Sequence, residues 1–475
     1  MPIDARLPQL FVDDAIIAES VRLGRSLHRP RKYGRVLAAD RPWEHGAAQT
    51  YGTVIHEDGR FRMWYQTAGR VSPGEQTYLG YAESADGLNW DKPEIGEHEF
   101  AGSIANNIAI APPPGLRFNS PSLLVDPDDP PRRYKFIAFA ARTAPGKPDR
   151  GLYAAFSADG VHWEWQPGPV LPGTGDCTTV LYDPLGEHRY VVYTRWPGFQ
   201  RPLKRRVITR AVSDDFLHWS EPELSLDPDL ADGYDLQFYR MSVFPYGQPY
   251  IGMVSCLHSL EDKIDVQLVS SRDGLQWHRQ VDRGAFLPRG RPGDWDQAWV
   301  GMSTNHPIQV GDEMWFFHEG RTAAHGEPVP PFRAAGVGLA VLRQDGFVSL
   351  DAGPVEGTLT TKPMVWPGGD LLVNVDCNTV AGPTDRGTGY ARVEVLDPRG
   401  GTVAGYRARD CVTLTDDYKR GDPNQTVRWR GERSLHELVG RQVRLRFYLR
   451  QARLYAFRAS DNREAESIQP AGVRL

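Results

Sequence analysis

One phrase recurs four times along the chain and constrains its fold more than any other feature. It reads Ser84-Ala-Asp-Gly-Leu-Asn-Trp90, Ser157-Ala-Asp-Gly-Val-His-Trp163, Ser213-Asp-Asp-Phe-Leu-His-Trp219 and Ser271-Arg-Asp-Gly-Leu-Gln-Trp277. The tryptophans stand 73, 56 and 58 residues apart. Self-similarity on this scale is the mark of a repeat architecture. The chemistry of the phrase is mechanical: Asp-Gly makes a tight turn, the Ser and Asp side chains bond turn amides, and Trp packs back over the hairpin.

Ahead of each copy runs the same order of short strands, such as QTYGTVIHEDGRFRMWYQT in the first unit and CTTVLYDPLGEHRYVVYTR in the third. A fifth unit, AWVGMSTNHPIQVGDEMWFFHEGR with AAGVGLAVLRQDGFVSL, keeps the strands and loses the terminal Trp. The runs are β-branched and aromatic, broken by Asp, Gly and Pro, with no helical period. Five units of about 45 to 70 residues predict an all-β protein whose residues 1–354 form a five-bladed β-propeller. An early strand around Leu10–Ile17 is expected to close the ring against unit five. Beyond PVEGTLTTKPMVWPGG the repeat stops, but alternating strands continue, so residues 355–475 read as a β-sandwich that adds little to the propeller's funnel.

The architecture and the phrases FVDD, RPWE, FRMWY, NNI and LYAFRAS resemble glycoside hydrolase family 32 and its relatives in families 43, 68 and 130, closest to a family 32-like bacterial branch. The resemblance implies a carbohydrate-active propeller. The invertase nucleophile phrase Trp-Met-Asn-Asp-Pro-Asn-Gly is absent, Asp126 in VDPDDPP reads as a turn residue, and the Glu-Cys pair of invertases survives only as Asp176-Cys177. Activity on sucrose or inulin is therefore not implied.

The first residues of the innermost strands of a propeller face one funnel. That geometry selects Glu44, Asn119, Asp176, Asp235 and Asp296, four of them carboxylates. Crowded carboxylates raise at least one pKa, which suits the acid and the second carboxylate of glycoside hydrolysis. Asp176 and Asp235 are expected to supply a general acid and its support, with Glu44 or Asp14 as base or nucleophile. The plainer readings are a turn cap for Asp176, a partner of Arg240 for Asp235, a partner of Arg41 for Glu44, loop solvation for Asp296, and edge charges for Asp13 and Asp14. Trp43, Trp295 and Trp299 are candidates for stacking on a sugar, or for packing. Arg195, Arg240 and His306 are candidates for hydroxyls or an anion, and Glu319 is a secondary acid candidate.

The remaining composition narrows the partners. A formal net charge of −5 gives no basic excess for nucleic acid or an anionic membrane. No apolar run reaches the ~18 residues of a membrane span, and no signal peptide is evident, so a cytoplasmic protein is expected. Four separated cysteines fit no metal spacing; reduced thiols are expected, although Cys377 and Cys411 lie in one segment and could bridge. No cofactor is expected, and the axial metal of some family 43 relatives is not demanded by any His/Asp cluster. The expected partner is a small carbohydrate, with a homo-oligomer left open. A glycoside hydrolase or transglycosidase acting on a small oligosaccharide or glycoside leads. A glycoside phosphorylase, which would hold phosphate with Arg195, Arg240 and His306, and a non-catalytic carbohydrate-binding propeller are the alternatives.

Overall fold

In all four copies of the repeated phrase the Ser hydroxyl accepts the backbone N–H three residues on, at 2.8–2.9 Å. One Asp oxygen accepts the next two amides of the turn, at 2.8–2.9 Å. The Trp indole returns to the turn carbonyl in the first three copies and to Ser225 in the fourth. Every copy ends the third strand of a four-stranded antiparallel unit and turns the chain into its outer strand.

This computed structural model describes residues 2–67, 76–142, 149–183, 186–197, 205–280, 282–304, 306–327, 335–377, 389–415 and 422–460. Among these residues five such units follow one another. Their innermost strands are Gln49–Glu57 in blade I, Leu116–Val125 in II, Thr179–Tyr182 in III, Leu236–Pro245 in IV and Trp299–Met302 in V. The protein is all-β, a five-bladed propeller joined to a β-sandwich. Inner strands are buried almost throughout, as a strand covered on both sides requires, and aromatic clusters fill the spaces between blades.

The ring is closed by a different segment from the one expected. Arg31–Ala38 forms the outer strand of blade V, pairing Leu37 with Val337 and Lys32 with Ala340. The earlier residues leave the propeller: Gln9–Leu10 pairs with Ala452–Ala459, Ile17–Val21 with Gly357–Thr361, and Leu23–Leu27 with Val348–Ala352. The boundary at 354/355 is thus corrected by strand pairing, because both sandwich sheets take an edge from the first 27 residues. Phe11 packs with Leu359, Trp366, Trp429 and Phe447 in the sandwich core, which a strand in the ring could not do.

The sandwich docks on the blade ends away from the starts of the inner strands. Leu10, Val12 and Ala456 join Phe244, Phe286 and Phe347 in one cluster. Tyr246 donates to the buried Asp345 at 2.7 Å, and burial raises that carboxyl's pKa. The four cysteines are free thiols; Cys377 and Cys411 do not bridge, and each donates instead to a carbonyl, of Leu414 and Val412.

Candidate active site at the propeller axis

The mouth of the axis is built by local irregularity. Blades I, II and IV each insert extra residues at the start of the inner strand, with register breaks between Gln49 and Gly52, Ser122 and Asn119, and Phe238 and Arg240. In blade III, Cys177 takes a left-handed conformation just before the strand, and Ser120 does so in blade II. A bulge re-aims side chains that strict alternation would send between blades, and bulges recur beside active sites for that reason. Tyr51, Ser120, Cys177 and Tyr239 owe their axial positions to these breaks.

Asp176 comes to the mouth through a close backbone approach. A Cβ on Gly175 would lie 1.7 Å from the Arg195 carbonyl oxygen, so only glycine permits the contact. The approach lets Arg195 N–H donate to the Asp176 carbonyl at 2.9 Å while its guanidinium bonds the Asp176 carboxylate. From there charged and aromatic groups alternate across three blades. The Arg195 guanidinium lies 4.3 Å over the Tyr239 ring, Tyr239 stands edge-on to Trp299 at 5.0 Å, and Arg321 lies 3.9 Å over Trp299. Arg321 in turn bonds Glu319. The ladder therefore runs from a carboxylate on blade III to a carboxylate on blade V.

Blades I and IV complete the cluster. Arg240 is buried, lies 4.4 Å over the Tyr51 ring and donates to the Met302 carbonyl of blade V. Gly301 makes room for it, since a Cβ there would sit 3.0 Å from Arg240 Nη2. Cys177 Sγ lies 4.0 Å from the Tyr51 hydroxyl and 3.8 Å from Ser120 Oγ. Burial pushes the Cys177 thiol and the Tyr51 phenol up, and lifts Tyr239 to about 12. Burial lowers Arg206, with the charge of Arg195 adding to the effect. Burial also opposes the charge on Arg195, but Cys177, Tyr239 and Asp176 beside it raise its pKa overall. Among the described residues, three buried atoms of this cluster lack a hydrogen-bond partner: Arg195 Nη1, Arg240 Nη1 and Glu319 Oε2.

Of the residues expected from sequence, Asp176, Arg195, Arg240, Trp299 and Glu319 meet here. Asn119 stands beside them, its side-chain oxygen accepting from Gln66 at 3.3 Å. Trp299 is buried against Arg321, Tyr239 and His325, with no open face for a sugar. Asp235 lies at the rim of blade IV, where its charge acts on His258.

The remaining candidates stand outside this cluster. Glu44 is fully buried and accepts from the amides of Asp40 and Arg41, the Tyr65 hydroxyl and Lys92, all at 2.6–2.7 Å, so it caps a turn in blade I. Asp296 pairs with Lys32 against the face of blade V, where Trp295 packs on His318 at 5.6 Å. Asp14 is an exposed partner of Arg25 in the sandwich segment, and Asp13 is held by Arg272 at 2.8 Å. His306 lines a mainly apolar cavity of about 640 Å³ at the far end of the inner strands, away from Asp176. Trp43 is half-buried, donates to Asn107 at 2.7 Å and meets Phe100 edge-on. Asp126, read as a turn residue, accepts the Asp128 amide and also ties blade II to Arg189 and Tyr190 of blade III.

Sequence reasoning missed Tyr51, Tyr239, Arg206 and Arg321. The available signal was the extra residue at the start of units one and four, which shifts Tyr51 and Tyr239 out of alternation. Among the described residues, no group of three or more His, Cys, Asp or Glu side chains is arranged to hold a metal ion, and no helix is long and apolar enough to cross a membrane.

No protein-family model matches the chain, and no curated protein matches it in sequence. Solved structures do. One described as a glycoside hydrolase is 14% identical with a TM-score of 0.48, over 67% of this chain and 94% of that one. A family 32 β-fructofuranosidase from Bombyx mori is 12% identical with a TM-score of 0.40, over 92% of this chain and 94% of that one. A β-1,2-mannobiose phosphorylase from Listeria innocua is 11% identical with a TM-score of 0.47, over 65% and 94%. The propeller itself rests on the strand pairing given above.

Proposed function

We propose that the protein is a glycosidase, hydrolysing or transferring a glycosyl unit of a small oligosaccharide or glycoside at the axial mouth. The observation that carries this reading is the pair Asp176 and Glu319, brought from blades III and V and held by Arg195 and Arg321 at the two ends of one aromatic ladder. Two carboxylates flanking the scissile bond are what glycoside hydrolysis needs. Asp176 is partly exposed, its side chain 24% accessible, which supports a role as base or nucleophile. Glu319 has Oε1 engaged by Arg321 and Oε2 unpartnered, so Oε2 is the oxygen left to carry a proton to the leaving group. Asp235 lines the rim, where it would meet the second unit of the substrate.

The test is turnover on a panel of aryl glycosides and small oligosaccharides by wild type, Asp176→Asn and Glu319→Gln. Loss of general acid–base catalysis is worth roughly 10²–10⁴-fold, so each variant should lose at least about a hundredfold in kcat while still folding. Near-normal turnover by both variants would place the chemistry elsewhere. Sugar binding with no turnover by the wild type would make the propeller a carbohydrate-binding module.

A further inference from the structure

The axial cluster is unbalanced in charge. Arg195, Arg206, Arg240 and Arg321 all stack on its aromatic rings, at 4.3, 5.9, 4.4 and 3.9 Å from Tyr239, Tyr239, Tyr51 and Trp299. Among the described residues of the stacked set Asp176 opposes them, and so does Glu319 in its ionised form. Guanidinium groups stay charged in proteins, so the set carries at least two uncompensated positive charges. A buried cation without a counter-charge is costly, and the usual remedy is an anion with matching acceptors. Two N–H groups are available for one: Arg195 Nη1 and Arg240 Nη1 are buried and make no hydrogen bond among the described residues, and Arg240 is 2% exposed. The charges of both guanidiniums act on Cys177, where they favour the thiolate against the effect of burial. Gly301 keeps the space beside Arg240 clear of a side chain.

We propose that the mouth of the axis binds an oxyanion between Arg195 and Arg240, so that the substrate reaction centre lies next to a carboxylate, sulfate or phosphate group. This deepens the glycosidase reading and rests on it for the identity of the reacting molecule. The oxyanion has two sources: a charged substituent on the sugar itself, such as a uronate carboxylate or a sulfate ester, or free inorganic phosphate beside a neutral sugar. A fork of guanidinium N–H groups suits either, because planar oxyanions and tetrahedral ones both accept paired bonds.

Binding is measured by titration calorimetry of the whole protein with inorganic phosphate, sulfate, D-glucuronate and neutral D-glucose, at constant ionic strength. At least one oxyanion should bind more than tenfold tighter than glucose, and Arg240→Gln and Arg195→Gln should each weaken it at least tenfold. Arg240→Lys keeps the charge and loses the fork, so it should fold and bind several-fold more weakly. Turnover separates the sources. Cleavage of neutral glycosides only when phosphate is present assigns the oxyanion to phosphate; preferential cleavage of uronate or sulfate-bearing glycosides without phosphate assigns it to the substrate. The inference is overturned if no oxyanion binds better than glucose, or if binding is equal in wild type and in all three arginine variants. Cleavage of neutral glycosides without oxyanion binding would overturn it and leave the glycosidase intact. Oxyanion binding with no cleavage in any arm would overturn the glycosidase and leave the anion site.

Discussion

Gly160→Ala tests how the repeated turn locks one blade to the next. Gly160 sits at φ +83°, and a Cβ there would fall 2.6 Å from Trp64 Cζ2 of blade I, whose indole N–H donates to the Gly160 carbonyl at 2.8 Å. Gly96→Ala is the internal control, because Gly96 has φ +82° and nothing within 4 Å of its added Cβ. Forcing alanine into the left-handed region costs about 1 kcal/mol, and the smaller unfolded-state entropy of alanine is common to both variants. Gly160→Ala must in addition displace a buried ring, about 1–2 kcal/mol, and weaken a hydrogen bond worth about 1 kcal/mol. The expected losses are about 1 kcal/mol for Gly96→Ala and about 2–4 kcal/mol for Gly160→Ala. At about 2 °C per kcal/mol for a domain of this size, Tm should fall by about 2 °C and about 4–8 °C, read by scanning calorimetry. Equal shifts in the two variants would refute the claim that the turn is gripped by the neighbouring blade.

Three further outcomes follow from the site description. Lys32→Ala leaves Asp296 buried without its cation and should lower stability by about 2–3 kcal/mol in urea titrations, below the full value for a buried pair because Lys32 is partly exposed, with kcat unchanged. His318 has its pKa lowered to about 4 by burial and by Lys32. Its folded pKa lies below the ordinary value near 6.5, so its contribution is complete above about pH 6.5 and is lost as pH falls toward 4. His318→Gln should therefore flatten the fall in urea midpoint between pH 6.5 and 4.5, and an unchanged slope would count against it. Asp14→Asn removes only an exposed ion pair with Arg25 and should leave Tm and turnover within error; a hundredfold loss of turnover would restore Asp14 to the site.

Blade number, turn positions and fold class were legible in the sequence because their causes are local. A Ser and an Asp two residues apart bond their own turn amides, so the phrase carries its structure wherever the chain takes it. Ring closure was not legible in the same way, since strand-like runs stand in both the Leu10–Ile17 and the Arg31–Ala38 regions and only the partner, about 300 or more residues away, tells them apart. The axial carboxylates divided along the same line. Asp176 reaches the mouth because it stands just ahead of the inner strand of blade III and Gly175 lets the backbone close on Arg195. Glu44 and Asp296 occupy corresponding places in the sequence, yet Lys92 from the loop after Trp90 and Lys32 from the strand Arg31–Ala38, together with the turn amides around Glu44, take their oxygens. Tyr51 and Tyr239 face the axis only because bulges break the two-residue alternation on which any reading of a strand depends. The sequence by itself determined the blades and their turns, whose interactions span a few residues. Tertiary structure decided which charges face the axis, because ion pairing and register breaks depend on groups that the chain brings together only when the ring closes.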